Sequence, residues 1–437
     1  MPWAEMHELK LKYGAGSVRL RLPERALLGA WSLASVPVKR PKSRDELLRN
    51  ALGQLSNAGF EAALQGRRLG LLLADGTRAW DPDLLLSALA PMLGGAASIE
   101  AILCTGTHDP DQAQHRRMGE RVMAQLSSLR PATRLHIHGA ERHQHRNLGR
   151  TTRGTQVEIW DMADSCDLFL VLSDMKHHYF AGYSNPLKYF LPGIASLESA
   201  RGNHSLAMEP DARLGRHPWH PDASRRGNPL AEDMLEAFEL CVGEREHFAL
   251  TSITGGASAS ELRWAGAGRT QDASARGIEA VDELASLSIP PARFLVVSAG
   301  GAPHDESLYT VQRALEMSRQ GVREGGEVLL LAACANGIGS PLAVRNFFEP
   351  LCAPLDQISA PSRADYALYS HKPVKFARLI QRLSRLHLHS QLSRETVQRM
   401  HLHACADPQA LVDEWVARLF PGEGIGFLED ASKLAIR

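Results

Sequence analysis

The sequence predicts an α/β fold of two Rossmann-like domains with the active site in the cleft between them. Short apolar runs rich in Leu, Val and Ile alternate with longer amphipathic stretches, the pattern of parallel strands joined by crossover helices. Each run is followed within a few residues by a polar or Gly-rich turn, and in an open α/β sheet such turns lie at the carboxyl ends of the strands, where ligands bind. A Gly-, Ala-, Ser- and Thr-rich stretch from Thr254 to Gln271 leads into a helix-like segment from Asp272 to Leu287 and then Pro290 and Pro291, which divides the chain near residue 275. An N-terminal α/β domain is therefore expected over 1–275 and a C-terminal α/β domain over 276–437.

Composition excludes several classes of function. With 437 residues, each half is long enough to bury its own core. The 49 basic side chains balance 49 acidic ones, which leaves no excess charge to displace phosphate counterions from nucleic acid. The longest apolar runs, such as Leu168 to Leu172, fall far short of the ~20 residues a membrane helix needs. The first residues carry no basic-then-apolar export signal, and the six cysteines are scattered with no metal-ligand spacing, so a reducing, cytoplasmic setting is expected.

The strands expected most clearly are Leu69 to Ala74, Ile99 to Cys104, Asp167 to Ser173, Phe294 to Ser298 and Val328 to Ala333. After the first comes Asp75-Gly76-Thr77-Arg78, where Arg78 stands ready to fork onto a phosphate or carboxylate, or where Asp75 merely caps a surface turn. After the second comes Thr105-Gly106-Thr107-His108, whose small residues let backbone approach a ligand while His108 points into the cleft. The third leads into the richest segment, Lys176 to Ser196, followed by Arg201-Gly202-Asn203-His204. His178 and Lys188 are ten positions apart, and Lys188 and His204 sixteen. Only nine of the basic residues are Lys, and between Ser43 and Ser370 just Lys176 and Lys188 occur, so a Lys left there is either kept for an amine that Arg cannot replace as a nucleophile or present by chance, and the count alone favours chance. Paired His, aromatics and a Lys this dense point to a metal or cofactor site.

In the second half, the strand ending at Ser298 runs into Gly300-Gly301-Ala302-Pro303-His304-Asp305 and a helix on which Tyr309 and Arg313 share one face. Asn336-Gly337-Ile338-Gly339-Ser340 reads as a backbone-donor loop suited to an anion. The segment from Pro210 to Asn228 reads as an irregular surface loop of the kind that forms lids. His136, His138, His143, His145, His401 and His403 read as solvated or structural.

The order of these motifs resembles the nickel-pincer nucleotide-dependent lactate racemase family. The matching pieces are YGAG (Tyr13 to Gly16), DGTR (Asp75 to Arg78), TGTH (Thr105 to His108), HYFAGYSNPLKYFLPGIAS (His178 to Ser196), RGNH (Arg201 to His204), GNP (Gly227 to Pro229), SAGGAPHDESLY (Ser298 to Tyr309) and ANGIGS (Ala335 to Ser340). The resemblance implies an isomerase, a racemase or epimerase of a 2-hydroxy acid, that carries a pyridinium nucleotide with two sulfur arms, a carbon donor and nickel. It implies that Lys188 is joined covalently to one arm, that His204 supplies the remaining nickel ligand, and that His108 and His178 flank the substrate as acid and base. Two sulfurs, a carbon and an imidazole make the planar soft-donor set that Ni(II) favours. Arg78 would hold or polarise the substrate, and Asp75, Tyr309 and Arg313 would lie near the cofactor or substrate carboxylate. The implied partners are the small-molecule substrate and the enzymes that make the cofactor, with no nucleic acid or membrane.

The chain also departs from the family pattern. Asn185-Pro186-Leu187 stands where a Gly-Gly loop commonly precedes the Lys, Thr310 and Arg313 replace a usual Gln and Lys, and His371 lies where an aromatic substrate contact is expected. These changes imply a 2-hydroxy acid larger or more polar than lactate. Two other readings stay open on sequence alone: a binding protein of the same fold without chemistry, and a zinc hydrolase using His108, His178 and His204.

Overall fold

A computed structural model describes residues 5–37, 42–77, 81–255, 261–358 and 360–437. The chain divides into two compact units, one formed by Val38–Glu283 and the other by Met1–Pro37 together with Leu284–Arg437. Position 275, where composition suggested a cut, lies inside the helix Thr270–Leu284, whose residues Ala273, Gly277 and Val281 are buried. A helix packed through its length belongs to one body, so the division falls at its end.

In the first unit the described residues form a sheet of six strands. Their spatial order is Leu262–Arg269, Glu246–Thr254, Leu168–Asp174, Arg68–Ala74, Ser98–Cys104 and Ala132–Ile137. All neighbours run parallel except Leu262–Arg269, which lies antiparallel to Glu246–Thr254. From Arg68–Ala74 the chain winds outward through Ser98–Cys104 to Ala132–Ile137, then returns to the other side at Leu168–Asp174. The topological switch therefore lies between Arg68–Ala74 and Leu168–Asp174, the position where an open parallel sheet leaves a crevice beyond its carboxyl ends. Leu69, Leu71, Leu72 and Leu73 are fully buried, as expected of a strand covered on both faces by helices. The helix Arg44–Asn57, packed on Leu262–Arg269, opens on Ser43, whose side chain accepts from the Glu46 N–H, and buries Leu47, Leu48, Ala51 and Leu55 along one stripe.

The second unit holds an all-parallel sheet in the order His403–Ala404, Arg385–His389, Val322–Leu331, Ala292–Ser298, Ile425–Leu428 and Leu27–Trp31. The edge strand Leu27–Trp31 pairs with Ile425–Leu428, nearly four hundred residues later in the chain, which is why the first 37 residues belong to this unit. The hairpin Met6–Tyr13 and Gly16–Pro23 is tied to the same unit, since the Gly14 N–H donates to Asp305 Oδ2 at 2.7 Å and Ser298 Oγ donates to the Lys12 carbonyl at 2.6 Å. Among the described residues no helix is long and apolar enough to cross a membrane.

The segment from Pro210 to Asn228 is no lid. His217 is fully buried and His220 nearly so, and the Arg216 backbone presses on Gly182, where an added Cβ would sit 1.8 Å from the Arg216 carbonyl oxygen. Gly182 also has φ +76°, a left-handed conformation that costs a side chain strain. Gly182→Ala is expected to lower the thermal midpoint by more than about 5 °C in a melting scan, whereas a detached loop would yield freely and leave it unchanged.

Candidate active site

The expected site residues of the first unit fall into two groups on segments that follow the strands at and beside the switch, Asp75 with His108 and His178 with Lys188 and His204. Asp75 follows Arg68–Ala74 directly and its side chain is 3% exposed. Asp75 Oδ1 accepts from the Thr77 N–H at 2.7 Å and from the Thr77 hydroxyl. Asp75 Oδ2 meets His108 Nδ1 at 2.9 Å. A carboxylate at Nδ1 holds the imidazole with Nδ1 protonated and its Nε2 lone pair turned away, the orientation a base needs. Sequence reading placed Asp75 beside a cofactor and missed this pairing, because the two residues are thirty-three positions apart. Gly76 is required by its surroundings, since a Cβ there would lie 2.2 Å from the Gln114 carbonyl oxygen.

His178, Lys188 and His204 meet around one phenyl ring. The Phe180 centroid lies 4.4 Å from that of His178, 5.7 Å from that of His204 and 5.8 Å from Lys188 Nζ. Lys188 Nζ stands 3.4 Å from His178 Nε2, while His178 Nδ1 accepts the Ala181 N–H at 3.2 Å. Burial, reinforced by the positive charge of Lys188, pushes the His204 imidazole down to about 3. His204 is therefore neutral at physiological pH, and its buried Nδ1 has no hydrogen-bond partner in the structure. A buried imidazole with an unused lone pair suits a metal.

Three buried Asn side chains fix these groups. Asn185 caps the turn Pro186–Tyr189 by accepting the Leu187 N–H at 2.8 Å, so Lys188 sits at the third position of that turn. Asn203, next to His204, donates to Asp233 Oδ2 at 2.8 Å, and Asp233 Oδ1 accepts from Thr151 Oγ1. Asn228 donates to the Phe180 carbonyl at 2.8 Å and caps the helix Pro229–Val242. The TGTH loop is joined to the Lys188 segment through the backbone: Gly106 N donates to Gly193 O at 3.0 Å, and Gly193 N to Lys188 O at 2.9 Å.

Arg78 is outside the described residues. Tyr309 and Arg313 stand in the other unit, on the helix Leu308–Ser318, where Arg313 Nε donates to the Ser432 carbonyl at 2.8 Å. Lys372 is buried against that helix, donating to the Tyr309 carbonyl at 2.9 Å with its ammonium 3.9 Å from the Tyr309 ring, and burial lowers it to about 7. The ANGIGS loop is not a free set of donors: the Asn336 and Gly337 N–H groups are bonded to Glu306 and Cys334 carbonyls, and its own carbonyls at Gly337 and Ile338 accept from Leu308 and Tyr309. It caps a helix. His371 is buried and its Nδ1 lies 2.7 Å from the Tyr366 hydroxyl, a core pairing.

A family model described as the lactate racemase N-terminal domain matches residues 13–215, a span containing Asp75, His108, His178, Lys188 and His204. The lactate racemase of Thermoanaerobacterium thermosaccharolyticum is 23% identical over 352 residues, covering 79% of this chain and 78% of that one. Over that span the chain is similar to the lactate racemase family. A second relative, the lactate racemase of Lactiplantibacillus plantarum, is 24% identical over 247 residues, 56% of this chain and 54% of its own length. In fold the chain is similar to the lactate racemase apoprotein of Thermoanaerobacterium thermosaccharolyticum, with a TM-score of 0.81 at 20% identity over 99% of this chain and 100% of that one. It also resembles a Thermotoga maritima protein at a TM-score of 0.60 and 14% identity, over 91% and 98% of the two chains.

Among the described residues, no three His, Cys, Asp or Glu side chains gather where they could hold a metal ion by themselves. His108, His178 and His204 thus form no zinc cage. A metal that arrived already held by a cofactor would need one protein ligand, and the partnerless Nδ1 of His204, with the Lys188 amine on the same phenyl ring, fits such a group.

The buried imidazoles of this unit also set its response to acid. His138, His204 and His217 are each pushed from the ordinary 6.5 to about 3, chiefly by burial. Above pH 6.5 they are neutral in both folded and unfolded chains, so no stability is lost there. As pH falls below 6.5, the unfolded chain takes up three protons that the native unit refuses until about 3, so stability falls with acid. Urea midpoints measured between about pH 7.5 and 5 should show this slope, and His217→Gln should remove one proton's share of it.

Proposed function

We propose that the chain is a racemase or epimerase of a 2-hydroxy acid larger or more polar than lactate, and that it works with a nickel-pincer nucleotide joined to Lys188. The observation that carries this reading is the gathering of His178, the Lys188 amine and the neutral, unpartnered His204 around Phe180. The motifs shared with lactate racemases support it. When bound, the nucleotide supplies a hydride acceptor and donor for the substrate C2.

The chain's own residues do the rest. His204 would hold the nickel and Lys188 would tether the nucleotide. His108, oriented by Asp75, takes the hydroxyl proton at Nε2 from a substrate bound in one hand, and His178 serves the opposite side. Inversion needs a proton acceptor and a proton donor on different faces, so one imidazole would not suffice. Arg78 holds the substrate carboxylate as a guanidinium fork, and Tyr309 and Arg313 bind the cofactor or that carboxylate. On this reading the enzyme is cytoplasmic, and its partners are the substrate and the enzymes that make the cofactor, with no role for nucleic acid or membrane.

Intact-mass spectrometry of protein produced with the cofactor-synthesis enzymes should reveal an adduct that Lys188→Ala abolishes. His108→Ala and His178→Ala should keep the adduct while losing at least about a hundredfold in inversion of a chiral 2-hydroxy acid. The absence of any adduct on loaded wild-type protein would end this reading. Ligand affinity without stereochemical scrambling would leave a binding protein instead.

A further inference from the structure

Gly76 follows Asp75 in the DGTR loop, and its N–H points out of that loop: it donates to His115 Nδ1 at 3.1 Å. His115 stands in the first turn of the helix Ala113–Leu126 and is fully buried. Accepting at Nδ1 places the one proton of the neutral ring on Nε2. Burial holds the imidazole below its ordinary value, against the pull of Asp75 and of the Asp109 carbonyl, so the acceptor persists at physiological pH. Nε2 finds no hydrogen-bond partner among the described residues. An unpaired buried donor is a cost that an apolar side chain would avoid, so packing alone gives no reason for a histidine here.

The contact with Gly76 joins two loops at a second point. Asp75 Oδ2 already meets His108 Nδ1 at 2.9 Å, and the Thr77 N–H and hydroxyl both bond Asp75 Oδ1. Those Thr77 bonds fix the carboxylate within its own loop and leave the loop free to pivot about the His108 contact. His115 removes that freedom, because the chain between His108 and His115 is itself wound. The His108 N–H donates to the Thr105 carbonyl at 3.1 Å, the Gln112 N–H to the Asp109 carbonyl at 3.4 Å and the His115 N–H to the Gln112 carbonyl at 2.9 Å. The DGTR loop also lies directly on the helix, with the place of a Gly76 Cβ only 2.2 Å from the Gln114 carbonyl oxygen.

We propose that His115 is a positioning residue for His108: by accepting the Gly76 N–H it seats the DGTR loop on the helix that follows TGTH, and so holds the Asp75 carboxylate in line with His108 Nδ1. Its consequence for turnover rests on the reading of His108 as an acid and base, whereas the seating of the pair does not.

The test compares wild type with His115→Leu and His115→Asn. The two replacements are nearly equal in size, and the Asn carbonyl oxygen falls where Nδ1 stood, so their difference isolates the acceptor. In cofactor-free protein carrying isotope-labelled histidine, ring nitrogen shifts report which nitrogen of each imidazole bears the proton, with His108 and His115 assigned from His108→Gln and the His115 variants. Wild type should hold His115 protonated at Nε2 and His108 at Nδ1. In His115→Leu the share of His108 protonated at Nε2 should rise about fivefold, the scale of one net hydrogen bond, and in His115→Asn it should return to within about twofold of wild type. In loaded enzyme, kcat for inversion of a chiral 2-hydroxy acid should fall about fivefold in His115→Leu with KM held within about twofold, and recover in His115→Asn. Wild-type His115 protonated at Nδ1 would overturn the proposal. So would a folded His115→Leu with a lowered melting point and unaltered His108, or failure of His115→Asn to restore it. If neither variant folds, wild type decides: His115 protonated at Nε2 with a slowly exchanging Gly76 amide upholds the proposal, and a rapidly exchanging Gly76 amide overturns it. A His108 shift in His115→Leu at unchanged kcat would sink His108 as acid and base and leave the positioning role intact.

Discussion

The contact on which this site depends is the one made by the Phe180 ring. An amine, a neutral imidazole and a second imidazole would repel or hydrate one another in open water, yet here they stand within hydrogen-bond and van der Waals range of one apolar surface. Burial, to which this ring contributes, together with the charge of Lys188 keeps the His204 imidazole unprotonated. The ring offers its face to the Lys188 ammonium, a contact worth ~1 kcal/mol at a partly buried position. Phe180 cannot drift, because its carbonyl is bonded by Asn228 at the start of a buried helix.

Buried amides and carboxylates carry the arrangement outward from there. Asn203 and Asn228 each bond a neighbour on another segment, and each lies within one or two positions of a residue that matters for chemistry or folding. A buried amide left half-satisfied costs ~1–3 kcal/mol, so such a pair has one acceptable geometry and resists small displacements. Hydrophobic packing of the Leu-rich sheet supplies stability, but it is indifferent to sub-ångström shifts of a loop. The polar pairs are not, and they lie where precision is needed, beyond the carboxyl ends of Arg68–Ala74, Ser98–Cys104 and Leu168–Asp174.

Much of this was legible in the sequence for a simple reason. The apolar runs at 69–74, 99–104, 167–173, 294–298 and 328–333 all overlap strands of the structure, and a fully buried parallel strand leaves a continuous apolar signature. The residues that follow such strands are then the natural place to look, and Asp75, His108, His178 and Lys188 sit there. What stayed hidden depends on partners distant in the chain. The pairing of Leu27–Trp31 with Ile425–Leu428 has no local signal, so the first 37 residues could not be assigned to the second unit. The Pro-, His- and Arg-rich stretch from Pro210 to Asn228 has the composition of a loose loop, and only Asp282 and Tyr183, supplied from elsewhere, make it a buttress. The glycines of ANGIGS signal backbone freedom without saying whether donors or acceptors face outward; here the acceptors do.

The histidines divide by the same logic. A chain with 19 of them offers many false ligands, and spacing alone cannot separate them. Environment does. His138, buried against Thr105 and His145, and His217, which accepts the Trp219 N–H, already spend ring nitrogens on protein partners, so their neutrality serves packing. His204 is equally neutral, and its buried Nδ1 has no hydrogen-bond partner, as is true of His115 Nε2 and His247 Nδ1; what sets His204 apart is its place with Lys188 beside Phe180. His108 differs again: its side chain is 32% exposed and one nitrogen is committed to a buried carboxylate. That combination, one nitrogen fixed by a carboxylate on a partly exposed ring, is what proton transfer demands and what packing would avoid. The difference between a ligand, a base and a core residue is therefore set by which nitrogen each ring has left to give.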